Sequence, residues 1–167
     1  MSETVTGKIA RKYMAHFLDA GSLCHGETPK HEKLGKNLEE YNVDLNPDTS
    51  VEKNIWGENT FKHNGYEASS DVDTYYAETN SVLSQKLQTI VDERLTDDNL
   101  KTNAVEAHLW EETTEGVYTA YQQACYVVPT SYGGDTSGYQ IPFTVNYVGE
   151  RTKGTFDVAK GTFTPGA

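Results

Sequence analysis

The sequence has few of the residues that cross-link secreted proteins or hold nucleic acid. Two cysteines, Cys24 and Cys125, occur in 167 residues, and two cysteines cannot form a disulfide framework. Lys and Arg number 14 against 25 Asp and Glu, which gives a formal net charge of −11. A protein that holds DNA by its phosphates needs a positive surface, so we do not expect tight nucleic-acid binding.

Long apolar runs are also missing. No stretch approaches the roughly 18 consecutive apolar residues of a membrane span, and residues 1–25 lack the apolar core of a secretory signal peptide. We therefore expect synthesis in the cytoplasm and no membrane partner. The length predicts one domain over residues 1–167, because single domains commonly have about 100–200 residues.

Motifs that carry catalysis or bind cofactors are absent from the sequence. There is no Gly-x-Ser-x-Gly nucleophile elbow. The glycine-rich stretch 133–138 lacks the Lys-Ser/Thr ending of a phosphate-binding loop and precedes a predicted strand. Adjacent acids such as Glu39 and Glu40 are more typical of a solvated face in an acidic chain. We therefore predict a protein that is not an enzyme and that needs no cofactor.

Two groups of residues look like fragments of metal sites. Cys24, His25 and His31 could each bind a metal, but no fourth ligand has a recognisable spacing. Residues 71–73, Asp-Val-Asp, resemble the start of a calcium-binding loop, but the glycine and the final glutamate of such a loop are missing. We predict no metal site at either place.

Alternation of apolar and polar residues, which is typical of β-strands, recurs along most of the chain. It predicts strands over residues 8–18, 38–46, 105–110, 117–128, 139–148 and 155–158, with turns at Asn64-Gly65 and over 149–154. Both faces of the first strand are largely apolar, which predicts that it lies either at the centre of a two-layer core or under a partner molecule. Many short strands and a single helix indicate a mainly β fold: a β-sandwich or barrel with one flanking α-helix.

The helix is predicted over about residues 80–95. The cluster Thr79-Asn80-Ser81 supplies an N-cap, and Asp97-Asp98-Asn99 is expected to end the helix. Apolar residues at helical spacing form one stripe, which should pack on the sheet. These residues are Leu83, Leu87, Ile90 and Val91.

The predicted strand 38–46 has one apolar and one polar face. Tyr41, Val43 and Leu45 form the apolar face, which should be buried. The polar face should meet water, and it consists of Glu40, Asn42 and Asp44. This strand begins the acidic region 37–112, in which 17 Asp and Glu face five Lys and Arg.

Several short motifs follow one another in a distinctive order. They are GKIARKYMA at 7–15, LGKNLEEY at 34–41, TYYAE at 74–78, RLT at 94–96, SYGGDT at 131–136, QIPF at 140–143 and GTFD at 154–157. In this order they resemble the major tail tube protein, or tail shaft protein, of long-tailed bacteriophages that infect Gram-positive bacteria. The resemblance covers nearly the whole chain.

The resemblance implies a β-sandwich flanked by one helix, with an extended N-terminal segment over residues 1–7. It also implies a homo-oligomer: rings, usually of six subunits, that stack into a hollow tube in the tail of the virion. Assembly would take place in the cytoplasm of the bacterial host. The other expected partners are the tape-measure protein, the tail-end proteins and, transiently, DNA that passes without specific binding.

The acidity of the chain has a use in such a tube. Six copies at −11 each would carry −66 formal charges. An acidic wall repels phosphates, whereas a basic wall would bind them and retain the DNA. On this hypothesis Glu40, Asn42 and Asp44 line the channel.

Other classes of protein remain compatible with the composition. The Tyr and Trp content, together with the acidic clusters, suits a carbohydrate-binding or adhesin-type β-sandwich module. The secretion tube of the type VI machinery has an architecture similar to that of a phage tail tube. A small acid-dependent hydrolase is the weakest of these alternatives, because no motif supports it.

Overall fold

The computed structural model describes residues 6–36 and 38–166. Within these ranges the protein is mainly β with one α-helix, which confirms the predicted fold class. The strands are β1 (Met14–Asp19), β2 (His31–Leu34), β3 (Pro47–Lys53), β4 (Asn59–Tyr66), β5 (Ser69–Val72), β6 (Lys101–Thr114), β7 (Val117–Pro129), β8 (Gly133–Asp135), β9 (Gly138–Gln140), β10 (Phe143–Asp157) and β11 (Thr162–Pro165). Helix α1 spans Val82–Glu93, and 3₁₀ helices span Arg11–Tyr13, Ala20–His25 and Asp97–Leu100. Of the extended segment expected over 1–7, residues 1–5 lie outside the described residues.

Seven of the strands form one antiparallel sheet. Their order is β11-β10-β7-β6-β1-β2. Strand β7 pairs with one edge of β10, whereas β5 and β11 pair with the first and the last part of its other edge. The strand pairs β3–β4 and β8–β9 form two separate small sheets. Strands β6, β7 and β10 are the longest and form the centre of the main sheet.

The main sheet is curled into a half-barrel. The rings of Phe17 on β1 and Phe156 on β10 lie 4.4 Å apart, centroid to centroid. Strands β6 and β7 lie between them, so in a flat sheet these positions would be about 14 Å apart. Phe156 is fully buried on this concave side, together with the small residues Ala107 and Ala120. Small side chains at the centre let the sheet curl until the two phenyl rings meet.

Helix α1 covers the opposite face of the sheet. The predicted apolar stripe is buried at all four positions, Leu83, Leu87, Ile90 and Val91. The Ser81 hydroxyl accepts a hydrogen bond from the backbone N–H of Ser84 at 3.3 Å and so caps the helix. The carboxylate of Glu32 on the edge strand β2 accepts a bond from the Leu83 N–H at 2.9 Å, which ties the edge of the sheet to the start of the helix.

The first two predicted strands need correction. The strand predicted from residue 8 begins only at Met14, after a 3₁₀ helix. The segment 38–46 is not a strand, because it forms a single isolated β-bridge, at Asp44 opposite Ser69. Tyr41 is buried and Val43 is half-buried, as predicted, but Leu45 is 55% exposed. An extended segment gives the same alternation as a paired strand, so the sequence pattern alone could not separate the two.

Two predicted turns are wrong. The hairpin turn follows Asn54, whose side-chain oxygen accepts bonds from the N–H groups of Trp56 and Glu58, both at 3.0 Å. Asn64-Gly65 instead lies within β4, at a bulge where the pairing with β3 shifts. The turn predicted over 149–154 is a second irregularity inside the continuous strand β10, which shifts its register between Val148 and Thr152.

Candidate functional site

The hairpin formed by β3 and β4, residues 47–66, stands in solvent. All residues of β3 except Ser50 are exposed, and all residues of β4 except Gly65 are exposed. An isolated two-stranded hairpin is at best marginally stable in water. A segment of this kind is typical of a surface that another molecule covers.

One face of this hairpin is apolar and aromatic. Val51 and Phe61 lie directly opposite each other and are both 65% exposed. The ring of His63 lies 6.3 Å from that of Phe61 and 4.7 Å from that of Tyr66, so the aromatic row continues to the base of the hairpin. The other face is polar and carries the ion pair Lys62–Glu52 at 3.0 Å.

The tip of the hairpin is its most exposed apolar part. Ile55 is 94% exposed and Trp56 is 78% exposed. The two bonds to the Asn54 side chain fix the turn, and Gly57 adopts the left-handed conformation that this turn requires, with φ +79°. A rigid turn that presents two large apolar side chains to water is typical of a contact site.

A cleft of about 700 Å³ lies at the base of the hairpin. Aromatic and aliphatic side chains line it, among them Tyr41, Val43, Leu45, Tyr66, Tyr121 and Tyr147, and we call it the aromatic cleft for its four tyrosines. The hydroxyls of Tyr41 and Tyr147 share a hydrogen bond of 2.6 Å. The guanidinium of Arg151 lies 4.5 Å from the centre of the Tyr121 ring and forms an ion pair with Glu106.

Burial disfavours the charged form of three side chains in this cleft, His16, Tyr41 and Tyr147. Burial, and then the nearby Arg11 guanidinium, lower the pKa of His16 to about 4, so this imidazole is neutral at pH 7. Burial raises the pKa of both Tyr41 and Tyr147 above the ordinary value of a tyrosine. The charges of Glu106 and Arg151 cancel each other. The cleft is therefore a neutral surface on a strongly acidic protein.

The low pKa of His16 predicts a pH-dependent stability. Between pH 6.5 and pH 4 the unfolded chain binds a proton on this residue and the folded chain does not, so the free energy of unfolding falls as the pH falls through this window. The loss should reach at most about 3 kcal/mol. Arg11 opposes the imidazolium, whereas the Glu106 carboxylate, 4.0 Å away, would favour it but is already paired with Arg151.

Urea titrations at several pH values would measure this dependence. The variant His16→Gln should lose the part of the slope between pH 6.5 and pH 4, and the variant His63→Gln, at an exposed position, should keep it. Equal slopes in the wild-type protein and the His16→Gln variant would show that His16 is not held neutral.

The three residues predicted to line a channel lie on the surface. Glu40, Asn42 and Asp44 are all exposed, and the Asn42 amide donates a hydrogen bond to the Glu40 carboxylate. Glu40 and Asn42 border a groove of about 780 Å³. Four basic residues, Arg11, Lys12, Lys33 and Lys36, line the same groove. The excess of acidic residues in region 37–112 is therefore not found in the immediate surroundings of Glu40.

The structure does not bring the residues considered for a metal site together. The Cys24 thiol is 3.8 Å from the Lys86 carbonyl oxygen, and the His31 ring packs edge-on against Phe156 at 5.6 Å. Asp71 accepts a hydrogen bond from the Thr144 hydroxyl at 3.0 Å. Over residues 6–36 and 38–166, no group of three His, Cys, Asp or Glu side chains is placed to hold a metal ion.

Sequence reasoning missed both the exposed hairpin and the cleft. The sequence does contain a pattern that is typical of a hairpin. The apolar residues Val51 and Phe61 lie on either side of an Asn-x-x-Gly turn sequence at 54–57. The cleft had no such signal, because its tyrosines come from four distant parts of the chain.

No protein-family model matches the chain, and no curated protein matches it. Among the described residues, no helix combines the length and the apolar character needed to cross a bilayer.

Proposed function

We propose that the protein is a structural subunit that assembles into stacked rings and forms the hollow tail tube of a long-tailed bacteriophage. The observation that carries the proposal is the exposed hairpin 47–66, with its aromatic face and its apolar tip. Contiguous apolar surface on a single chain is typical of protein–protein interaction. The order of motifs along the sequence resembles that of phage tail tube proteins, and this resemblance is the reason for proposing a tail tube as the assembly.

The half-barrel supports the same proposal. A curled sheet that does not close has two open edges, and open edges invite pairing with another chain. Here the short strand β2 lies at one edge, and the other edge is shared by β5 and β11. Neighbouring subunits that complete such a sheet would remove these edges, as closure of a barrel does.

Sedimentation velocity of the purified protein over a wide range of concentrations tests self-assembly. The proposal predicts species of six subunits or more that increase with concentration. A single monomeric species at every concentration would contradict it.

The acidic channel is a second part of the proposal, with Glu40, Asn42 and Asp44 on its wall. The double variant Glu40→Lys and Asp44→Lys should fold normally, because exposed substitutions usually change stability by about 0.5 kcal/mol or less. Of the two new lysines, the one at position 40 would join the four basic residues of the groove that Glu40 borders. Phage that carry the variant should therefore assemble but eject DNA poorly, and added salt should relieve the defect.

DNA release from purified virions, measured at increasing salt, reports on this expectation. The variant Glu40→Gln and Asp44→Asn is the matched control, because it removes the same charges without adding positive ones. Normal ejection by the lysine variant would place these residues outside the channel.

A further inference from the structure

Among residues 6–36 and 38–166, nothing covers the tip of the hairpin, where Ile55 and Trp56 are exposed. Tyr66, at the base of β4, lines the aromatic cleft. From there the strand runs through eight residues, Asn59–Tyr66, so the tip lies about 25 Å away at the rise of a β-strand. Ile55 and Trp56 therefore lie well outside the cleft of their own chain and face solvent.

The charge distribution favours a second copy of this chain as that molecule. The hairpin, residues 47–66, carries two lysines against one aspartate and two glutamates, a net charge of −1. The neighbouring region 67–112 carries three Lys and Arg against eleven Asp and Glu, a net charge of −8. Two copies of an acidic protein repel each other, so contact between them is least costly where the net charge is small.

The aromatic cleft meets the same condition. Its described charges are the paired Glu106 and Arg151 and the neutral His16. Its volume of about 700 Å³ is in the range that takes a ligand-sized group. Tyrosine rings such as those of Tyr121 and Tyr147 offer faces and edges to an indole.

We propose that Ile55 and Trp56 of one subunit insert into the aromatic cleft of the next. The contact joins two different surfaces, so it is heterologous and repeats from subunit to subunit, as a ring or a stack requires. This inference rests on the proposed function, because it names the contact through which the subunits would assemble. Trp56 is the central residue of this contact, and the Glu106–Arg151 pair is part of the cleft that receives it.

Variants at the tip test the contact. Ile55→Ser together with Trp56→Ser removes the inserted side chains from a turn that is exposed in the single chain, so the melting temperature of the monomer should not change. Assembly should weaken by about 30-fold or more, as for central interface residues. The matched control is Val158→Ser, which removes another exposed apolar side chain, 42% exposed, and should assemble like the wild-type protein.

A variant of the cleft tests the other half of the contact. Gln123 lines the cleft and is half-buried, so Gln123→Trp should fill the space that the tip would occupy. Assembly of this variant should weaken to a similar extent. A mixture of the tip variant and the cleft variant should form a 1:1 dimer, because each chain brings one intact surface. Sedimentation equilibrium measures all three samples.

Trp56 fluorescence follows the same contact directly. In a Trp110→Phe background Trp56 is the only tryptophan. Its emission should shift to shorter wavelength, and its quenching by acrylamide should decrease, as the protein concentration rises.

The variants separate the contact from the tube. A tip variant that assembles like the wild-type protein, or a mixture that forms no dimer, would overturn the proposed contact but not the proposed tube.

The outcomes for the wild-type protein separate the two proposals. Dimers or short oligomers with a shielded Trp56, but no tubes, would support the contact and overturn the tube. Monomers with an exposed Trp56 at every concentration would overturn both.

Discussion

Replacing Phe156 by alanine should lower the free energy of unfolding by about 3–5 kcal/mol, as for other buried phenylalanines. The side chain is fully buried and contacts the rings of Phe17 and His31, at 4.4 Å and 5.6 Å between centroids. These contacts join strands from opposite ends of the half-barrel, so a cavity here removes packing across the whole concave face. For a domain with a total stability of about 5–15 kcal/mol, the loss is a large fraction.

Urea denaturation would measure this loss as a lower midpoint with an unchanged slope. Phe61→Ala is the matched control, since Phe61 is 65% exposed on the hairpin and should change stability by about 0.5 kcal/mol or less in the monomer. A loss below about 1 kcal/mol for Phe156→Ala would mean that the sheet does not curl around this residue.

Replacing Leu87 by alanine should cost about 2–5 kcal/mol. Leu87 is fully buried in the middle of α1 and belongs to the core cluster that contains Val127, Phe143 and Val145 of the sheet. Alanine keeps the helical propensity high, so the loss would report packing rather than helix formation.

The position Gln85, exposed on the same helix, provides the control for Leu87. Gln85→Ala should leave the stability of the monomer within about 0.5 kcal/mol of wild type. If both variants had the same small effect in thermal unfolding, the helix would not be packed on the sheet.

The helix was predictable because its signals are local. A serine N-cap at Ser81 and an apolar stripe with a 3.6-residue period define both its start and its buried face. Its end also depends on a local feature, since Arg94 adopts the left-handed conformation, φ +52°, and stops the helix before Asp97. The long strand β7 was predictable for the same reason, from its run of Tyr and Val up to Pro129.

The strand pairings were harder to predict because they depend on distant residues. Gly149 predicted a turn, but β7 pairs with β10 both before and after residues 149–151, so the strand continues through them. Asn64-Gly65 is a strong hairpin signal, yet the turn formed ten residues earlier, where Asn54 bonds to two backbone N–H groups.

Most of the candidate site could not be predicted from the sequence. Exposure of Ile55 and Trp56 follows from the hairpin standing away from the sheet, and alternation alone does not reveal that. The cleft joins Tyr41, Tyr66, Tyr121 and Tyr147 only once the chain has folded. For Glu40, Asn42 and Asp44 the sequence predicted exposure to water, which the structure confirms, and their place on a channel wall stays a proposal.

Electron microscopy of the purified protein tests the central claim most directly. At high protein concentration, negatively stained samples should show rings with an open centre and tubes built from stacks of these rings. Uniform single particles of the size of an 18.6 kDa monomer, under the same conditions, would contradict the proposal that this protein builds a tube.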